Sequence, residues 1–190
     1  MEKPISRTGP ALLNELTAHD PTHDFMIDGV RTWSYRSFGL DVDQCARALL
    51  ANGIIRGDRV GILAGNRAEW LIVNFAAMSI GAITVGLNTW SSAQELAYQL
   101  DHAEVKILFV EPVFRERDFV ALVAESHKHD GKLDHLERVI ALGDGEAGLW
   151  VPYVEFLSSG NDVGATDLAA ATAAVHPEDV ACLLYTSGST

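Results

Sequence analysis

"RVGILAGNRAEWLIVNFAAMSIGAITVGL", Arg59 to Leu87, decides the fold. From Trp70 to Leu87 it carries no charged residue, and that length is close to the shortest that spans a bilayer. The competing reading is strand, helix, strand. Arg59 to Ala64 has the unbroken apolar character of a strand buried on both faces. Asn66 then stands where a helix N-cap is expected, with Glu69 three residues on, a variant of the capping box. The spacing predicts a helix over Arg67 to Ile80, closed by Gly81, and a β-branched strand over Ala82 to Leu87. Two glycines and the central Asn74 argue against lipid, so the membrane reading is set aside.

The same alternation extends outward. Towards the N-terminus, Leu12, Leu13 and Leu16 give "GPALLNELTAHD" helical spacing, and Asp28-Gly29 in "FMIDGVRTWSY" signals a hairpin. Arg36 to Asn52 aligns Phe38, Val42, Cys45, Ala46 and Leu49 on one face, with Gly53 as the closing residue. On the other side, Ser92 and Glu95 make the S-x-x-E box that opens "AQELAYQLDHA". "VKILFVE" is the next strand and "PVFRERDFVALVAESHKH" a single helix with Pro112 near its first position, followed by the strand "LERVIAL". Repeated strand and helix imply an α/β fold, a mostly parallel sheet with helices on both faces.

From Gly143 the text changes. "GDGEAGLW" is turn-rich, "VPYVEFLSS" suggests a short helix, and residues 160–178 read as a loose surface connection. "VACLLYT" returns as an apolar strand. The whole, 1–190, reads as one incomplete domain.

Composition narrows the function classes. The chain has 190 residues, 14 Lys and Arg against 26 Asp and Glu, and a formal charge of −12. Such a surface repels nucleic acid and anionic lipid at long range, so neither is an expected partner. Cys45 and Cys182 are far apart in apolar runs and read as two reduced core thiols. "MEKPISRTGP" lacks a signal peptide's apolar region, which makes the cytoplasm the expected location. No metal site is expected: His127 and His129 flank Lys128 on a polar helix end, and His102, His135 and His176 are isolated. Asp41 and Asp43 do not share a helix face, and Ser92 is explained by capping rather than catalysis. Trp33 and Trp70 read as core, whereas Trp90, beside a loop at a strand's carboxyl end, is more open.

The last residues, "YTSGST", follow that final strand directly. Gly188 permits close approach of a ligand, successive amides can form a nest, and Thr186, Ser187, Ser189 and Thr190 add hydroxyl donors. A solvated turn has the same composition, so the loop alone does not decide. No G-x-x-x-x-G-K-[ST] occurs, and neither "GILAGN" nor "GDGEAG" makes a dinucleotide fingerprint.

Taken together, "DVACLLYTSGST", "TWSYRSF" and the block Gly57 to Val110 resemble the N-terminal domain of the acyl-adenylate-forming (AMP-binding) ligases. That superfamily includes acyl-CoA synthetases, luciferases and peptide-synthetase adenylation domains. The likeness runs from about Phe25 to Thr190; Gly86 stands where many relatives have proline. The resemblance implies that Thr186, Ser187, Gly188, Ser189 and Thr190 are the available half of a loop gripping ATP phosphates. It implies an acid–thiol ligase that makes acyl-AMP and pyrophosphate from a carboxylic acid and Mg2+-bound ATP, then passes the acyl group to coenzyme A. Fatty-acid metabolism is the implied setting. In the family the loop continues with Gly-x-Pro-Lys-Gly, and later segments supply adenine and acyl contacts and a mobile domain with a catalytic lysine. The expectation is therefore a fragment that is inactive by itself and self-associates through an exposed sheet edge. The alternatives are a noncatalytic nucleotide- or acyl-binding module and a degenerate structural fragment of the same fold.

Overall fold

The structure, a computed structural model, describes residues 5–128, 133–143 and 150–186. In chain order, α1 (Gly9–His19) precedes a hairpin of β1 (Asp24–Asp28) and β2 (Arg31–Ser34), then α2 (Tyr35–Ala51), β3 (Arg59–Leu63) and α3 (Ala68–Ser79). Next come β4 (Ile83–Gly86), α4 (Ala93–His102), β5 (Val105–Val110), the short β6 (Val113–Phe114) and β7 (Arg117–Asp118), and α5 (Phe119–Ser126). β8 (Arg138–Ala141), β9 (Val151–Pro152), α6 (Tyr153–Ser158), α7 (Ala165–Ala173) and β10 (Cys182–Leu184) complete it. Among the described residues these elements pack as two compact units: those within 57–65, 83–156 and 181–186 form the sheet unit, and the other described residues form the helical unit.

In the sheet unit the strand order is β10-β4-β3-β5-β8-β9, with every neighbouring pair parallel. Side chains alternate across it, as the pleat requires. On one face Val85, Leu108 and Val110 meet Leu96 and Leu100 of α4 and Phe119 and Val123 of α5. On the opposite face Phe109 lies edge-on to Phe156 of α6, with ring centroids 5.1 Å apart. The sheet thus carries helical side chains on both faces, as the alternating sequence predicts. Gly61 sits in the middle of β3 because a Cβ there would come 2.9 Å from Val105 Cγ1 and 3.0 Å from Leu108 Cδ1.

In the helical unit the predicted stripe of α2 is buried throughout, and Phe38 meets Phe75 of α3 edge-on at 5.4 Å. α2 opens on a reciprocal Ser34–Ser37 box and ends with Ile54 N–H donating to Leu49 O and Gly53 N–H to Leu50 O. Gly53 there has φ +75°, a left-handed closure. Gly81 closes α3 the same way at φ +72°, so the uncharged segment does divide into a helix and a strand. Among the described residues no helix is long and apolar enough to cross a membrane.

Four expectations need correction. Asn66 does not cap α3: Arg67 occupies the cap position, its side chain donating to Glu69 Oε2 at 2.8 Å rather than capping, and Ala68 N–H donates to Asp28 Oδ2 at 2.8 Å. The stretch from Pro112 is not one helix. Arg115 and Glu116 both take positive φ (47° and 66°), reversing the chain between β6 and β7. The helix starts only after Asp118, whose Oδ1 accepts from Ala121 N–H at 2.9 Å. Residues 160–178 are not a loose connection, because they contain α7, built of alanines with high helix propensity and anchored by buried Leu168. Cys45 is buried, but Cys182 is exposed, so the second thiol is not a core group.

Candidate functional site at the carboxyl ends of β4 and β10

β10 runs parallel to β4 with Leu184 opposite Gly86, so Tyr185 and Thr186 leave the sheet beside the chain that leaves β4. Ligands of open parallel sheets bind outside these carboxyl ends. Here the two exits enclose a cleft of about 580 Å³ lined by Asn88, Trp90, Gln94, Tyr98, Tyr185 and Thr186, among others. Of the five residues singled out in the sequence, Thr186 is placed in this cleft. Ser187, Gly188, Ser189 and Thr190 lie outside the described residues, as does His129.

The loop from β4 is locally determined. Asn88 Oδ1 accepts from Trp90 N–H at 2.9 Å, and Asn88 O accepts from Ser91 N–H at 3.0 Å. Arg117 donates one guanidinium nitrogen to Thr89 O and another to Ser91 O, the latter at 2.8 Å. The guanidinium also stands 5.9 Å from the Trp90 ring. Trp90 remains 66% exposed, the open tryptophan that its place beside a loop predicts. Ser92 and Glu95 form the predicted reciprocal box at the start of α4, where hydrogen bonds from Ser92 hold the Glu95 carboxyl below its ordinary range. Glu95 is thus committed to capping.

On the other side of the cleft stands a cluster that no spacing announces. Tyr185 Oη is 2.9 Å from His102 Nδ1 and 3.4 Å from Gln99 O. Tyr98 stacks on His102, with centroids 5.2 Å apart and planes inclined by 19°. His102 is therefore not isolated, and the pairing spans 83 residues of chain. Burial, with Tyr98 nearby, pushes the Tyr185 phenol above its ordinary range.

The glycine turn after β3 is used differently. Gly65 N–H donates to Glu111 Oε2 at 2.9 Å, which places a carboxylate where an anion would otherwise meet the amide. Among the described residues no three His, Cys, Asp or Glu side chains are grouped to hold a metal ion. A second, mostly apolar cleft of about 420 Å³ in the helical unit is lined by Met26, Ile27, Trp70 and Leu71.

A parallel α/β sheet with a polar cleft at the exits of adjacent strands defines the class of a ligand-binding α/β protein. The comparisons carry the assignment further. The family model for AMP-binding enzymes matches residues 13–190, and the chain belongs to that family. It is 35% identical over 161 residues to an acyl-CoA ligase of Aspergillus fumigatus, covering 83% of this chain and 27% of that protein. It is also 35% identical over 185 residues to a Mycobacterium tuberculosis CoA ligase named for a methyl-dioxo-octahydro-indenyl propanoyl group, covering 97% and 35% of the two. The fold is similar to the crystal structure of a putative long-chain-fatty-acid CoA ligase from Rhodopseudomonas palustris. That pair has 27% identity and a TM-score of 0.69, covering 82% of this chain and 37% of the other. The chain spans about a quarter to a third of the length of these curated relatives.

Proposed function

We propose that this chain supplies the opening part of a carboxylic acid–CoA ligase and that Thr186, Ser187, Gly188, Ser189 and Thr190 hold the phosphates of ATP. The observation that carries the reading is the position of Thr186, at the carboxyl end of a parallel strand and facing a polar cleft. Short hydroxyl side chains and glycine amides suit anionic oxygens without any net positive charge, which accords with a chain of charge −12. In the reaction, a carboxylate oxygen attacks the α-phosphorus of ATP and the phosphorus–oxygen bond to pyrophosphate breaks. The thiolate of coenzyme A then attacks the acyl carbon and AMP leaves. The loop would position ATP and stabilise charge on departing pyrophosphate. Magnesium enters with ATP as part of the substrate; the described residues offer it no ligand set of their own, and no step is assigned to it.

The same reading places the protein in the cytoplasm, with fatty or related acids as substrates. It also gives the isolated chain phosphate binding without turnover, and self-association through β10, where Leu183 and Leu184 are exposed at the sheet's edge.

Calorimetry on the 190-residue chain separates the possibilities. ATP and inorganic tripolyphosphate should bind with similar affinity, AMP much more weakly, and acid-dependent pyrophosphate exchange should be absent. Binding of neither ATP nor tripolyphosphate, or equal binding of AMP, would overturn the phosphate assignment. Robust exchange by the pure chain would overturn the claim of inactivity.

A further inference from the structure

We propose that His102 is a positioning residue for the phosphate end of β10: together with Tyr98 it latches Tyr185 to α4 and so fixes where Thr186 stands. The proposal deepens the phosphate-site reading and rests on it for its functional meaning.

β10 needs such a device. It is three residues long, its pairing with β4 covers only those residues, and Cys182, Leu183 and Leu184 are all exposed. A three-residue ladder fixes the strand's direction but leaves the next residues free to swing. Tyr185 is the next residue, and it is the first in this stretch whose side chain is engaged in the sheet unit.

The partner is rigid. α4 is pinned at its start by the Ser92–Glu95 box and along its inner face by buried Leu96 and Leu100. Tyr98 and His102 are one turn apart on the same face, where i and i+4 side chains meet. The stack holds the imidazole in one plane, and Tyr185 meets both rings edge-on, at 6.5 Å and 6.0 Å. That geometry aims Nδ1 at the phenol. The 2.9 Å separation makes Nδ1 the better of the two acceptors, ahead of Gln99 O at 3.4 Å. In this latch the phenol's single proton goes to the nearer partner, Nδ1, which places the imidazole proton on Nε2. Thr186, one peptide further on, inherits its position from this bond.

The test uses the 190-residue chain with H102F, H102N and Y185F. Phenylalanine keeps the stack and loses the acceptor, whereas asparagine places an amide oxygen at the branch point that Nδ1 occupies. A net hydrogen bond of ordinary strength corresponds to about fivefold in an equilibrium. Amide exchange at Tyr185 and Thr186 should therefore quicken about fivefold in H102F and in Y185F. The double variant should be no faster than either, and H102N should return towards the parent. Affinity for tripolyphosphate should fall by the same factor in H102F and recover in H102N. Nitrogen-15 spectra of the unsubstituted chain should show the His102 proton on Nε2. Additive effects in the double variant, H102N indistinguishable from H102F, or a proton on Nδ1 would overturn the latch. If the parent binds no tripolyphosphate, the phosphate reading fails while exchange and tautomer still judge the latch. If H102F does not fold, Y185F and the parent spectra decide.

Discussion

Gly160 offers a sharp test of how the segment after α6 is held. Its amide donates to Leu157 O and its carbonyl accepts from Val163 N–H, both near 3.2 Å (3.2 Å and 3.1 Å). Its buried Cα faces the backbone of α2, and neighbouring Ser159 Oγ accepts from Asn52 Nδ2 at 2.9 Å. A Cβ added there would lie 2.5 Å from Ala48 N, 2.8 Å from Arg47 C and 2.9 Å from Ala48 Cα. Comfortable carbon contacts begin at about 3.5 Å, so the loop would have to retreat by roughly 1 Å. The neighbours are helix backbone and cannot turn aside as a side chain would. Overpacking costs about 1–3 kcal/mol in general, and rigid neighbours place Gly160→Ala near about 3 kcal/mol. For a chain of this size that corresponds to roughly 6–12 °C in Tm. Scanning calorimetry should show this fall, with faster exchange at α7 amides as the local signature. A change of under about 0.5 kcal/mol, the ordinary surface value, would refute the close packing of residues 157–163 on α2.

Other predictions follow from single contacts. Ser34→Ala should cost about 1 kcal/mol in urea unfolding, because the α2 capping box loses its acceptor. Arg117→Ala should cost about 2 kcal/mol and speed exchange at Ser91; Arg117→Lys should restore little, since one ammonium cannot fork across two carbonyls. The Glu95 carboxyl is held below its ordinary value of 4.5, so its contribution is complete above that value and lost as pH falls through the lower folded value. The stability gap between the parent and Ser92→Ala should therefore be constant from neutral pH down to that region and narrow below it. Light scattering should show association that Leu184→Lys, on the exposed edge, reduces; a monodisperse parent at high concentration would contradict it.

What could be read in the sequence was what one segment encodes by itself. The α2 stripe, the Ser92–Glu95 box and the split of the uncharged stretch each rest on spacing within a few turns. They appear in the structure as expected. What escaped depends on partners remote in the chain. Asp28 serves the start of α3 from 40 residues away, so the nearer Asn66 looked like the cap. Arg115 and Glu116 adopt left-handed backbone that charged residues seldom signal, which hid the β6–β7 reversal inside an apparent helix. The apolar run of β10 told that a strand was present, but not that its side chains are exposed. The proposed phosphate loop rests on the hydroxyl and glycine chemistry of Thr186, Ser187, Gly188, Ser189 and Thr190, of which the described residues include Thr186. The latch behind it is not legible, because Tyr185 reaches the Tyr98–His102 pair of α4 only once the sheet is assembled.

The central claim is that the exits of β4 and β10 form a site for nucleotide phosphates. Titrating ATP into the nitrogen-15-labelled chain and following amide shifts tests it most directly. The account predicts saturable shifts at Thr186 and along Asn88 to Ser91, with Met26 and Trp70 in the other cleft unmoved. Shifts confined to Met26 and Trp70, or no shift at Thr186 at saturating ATP, would contradict it.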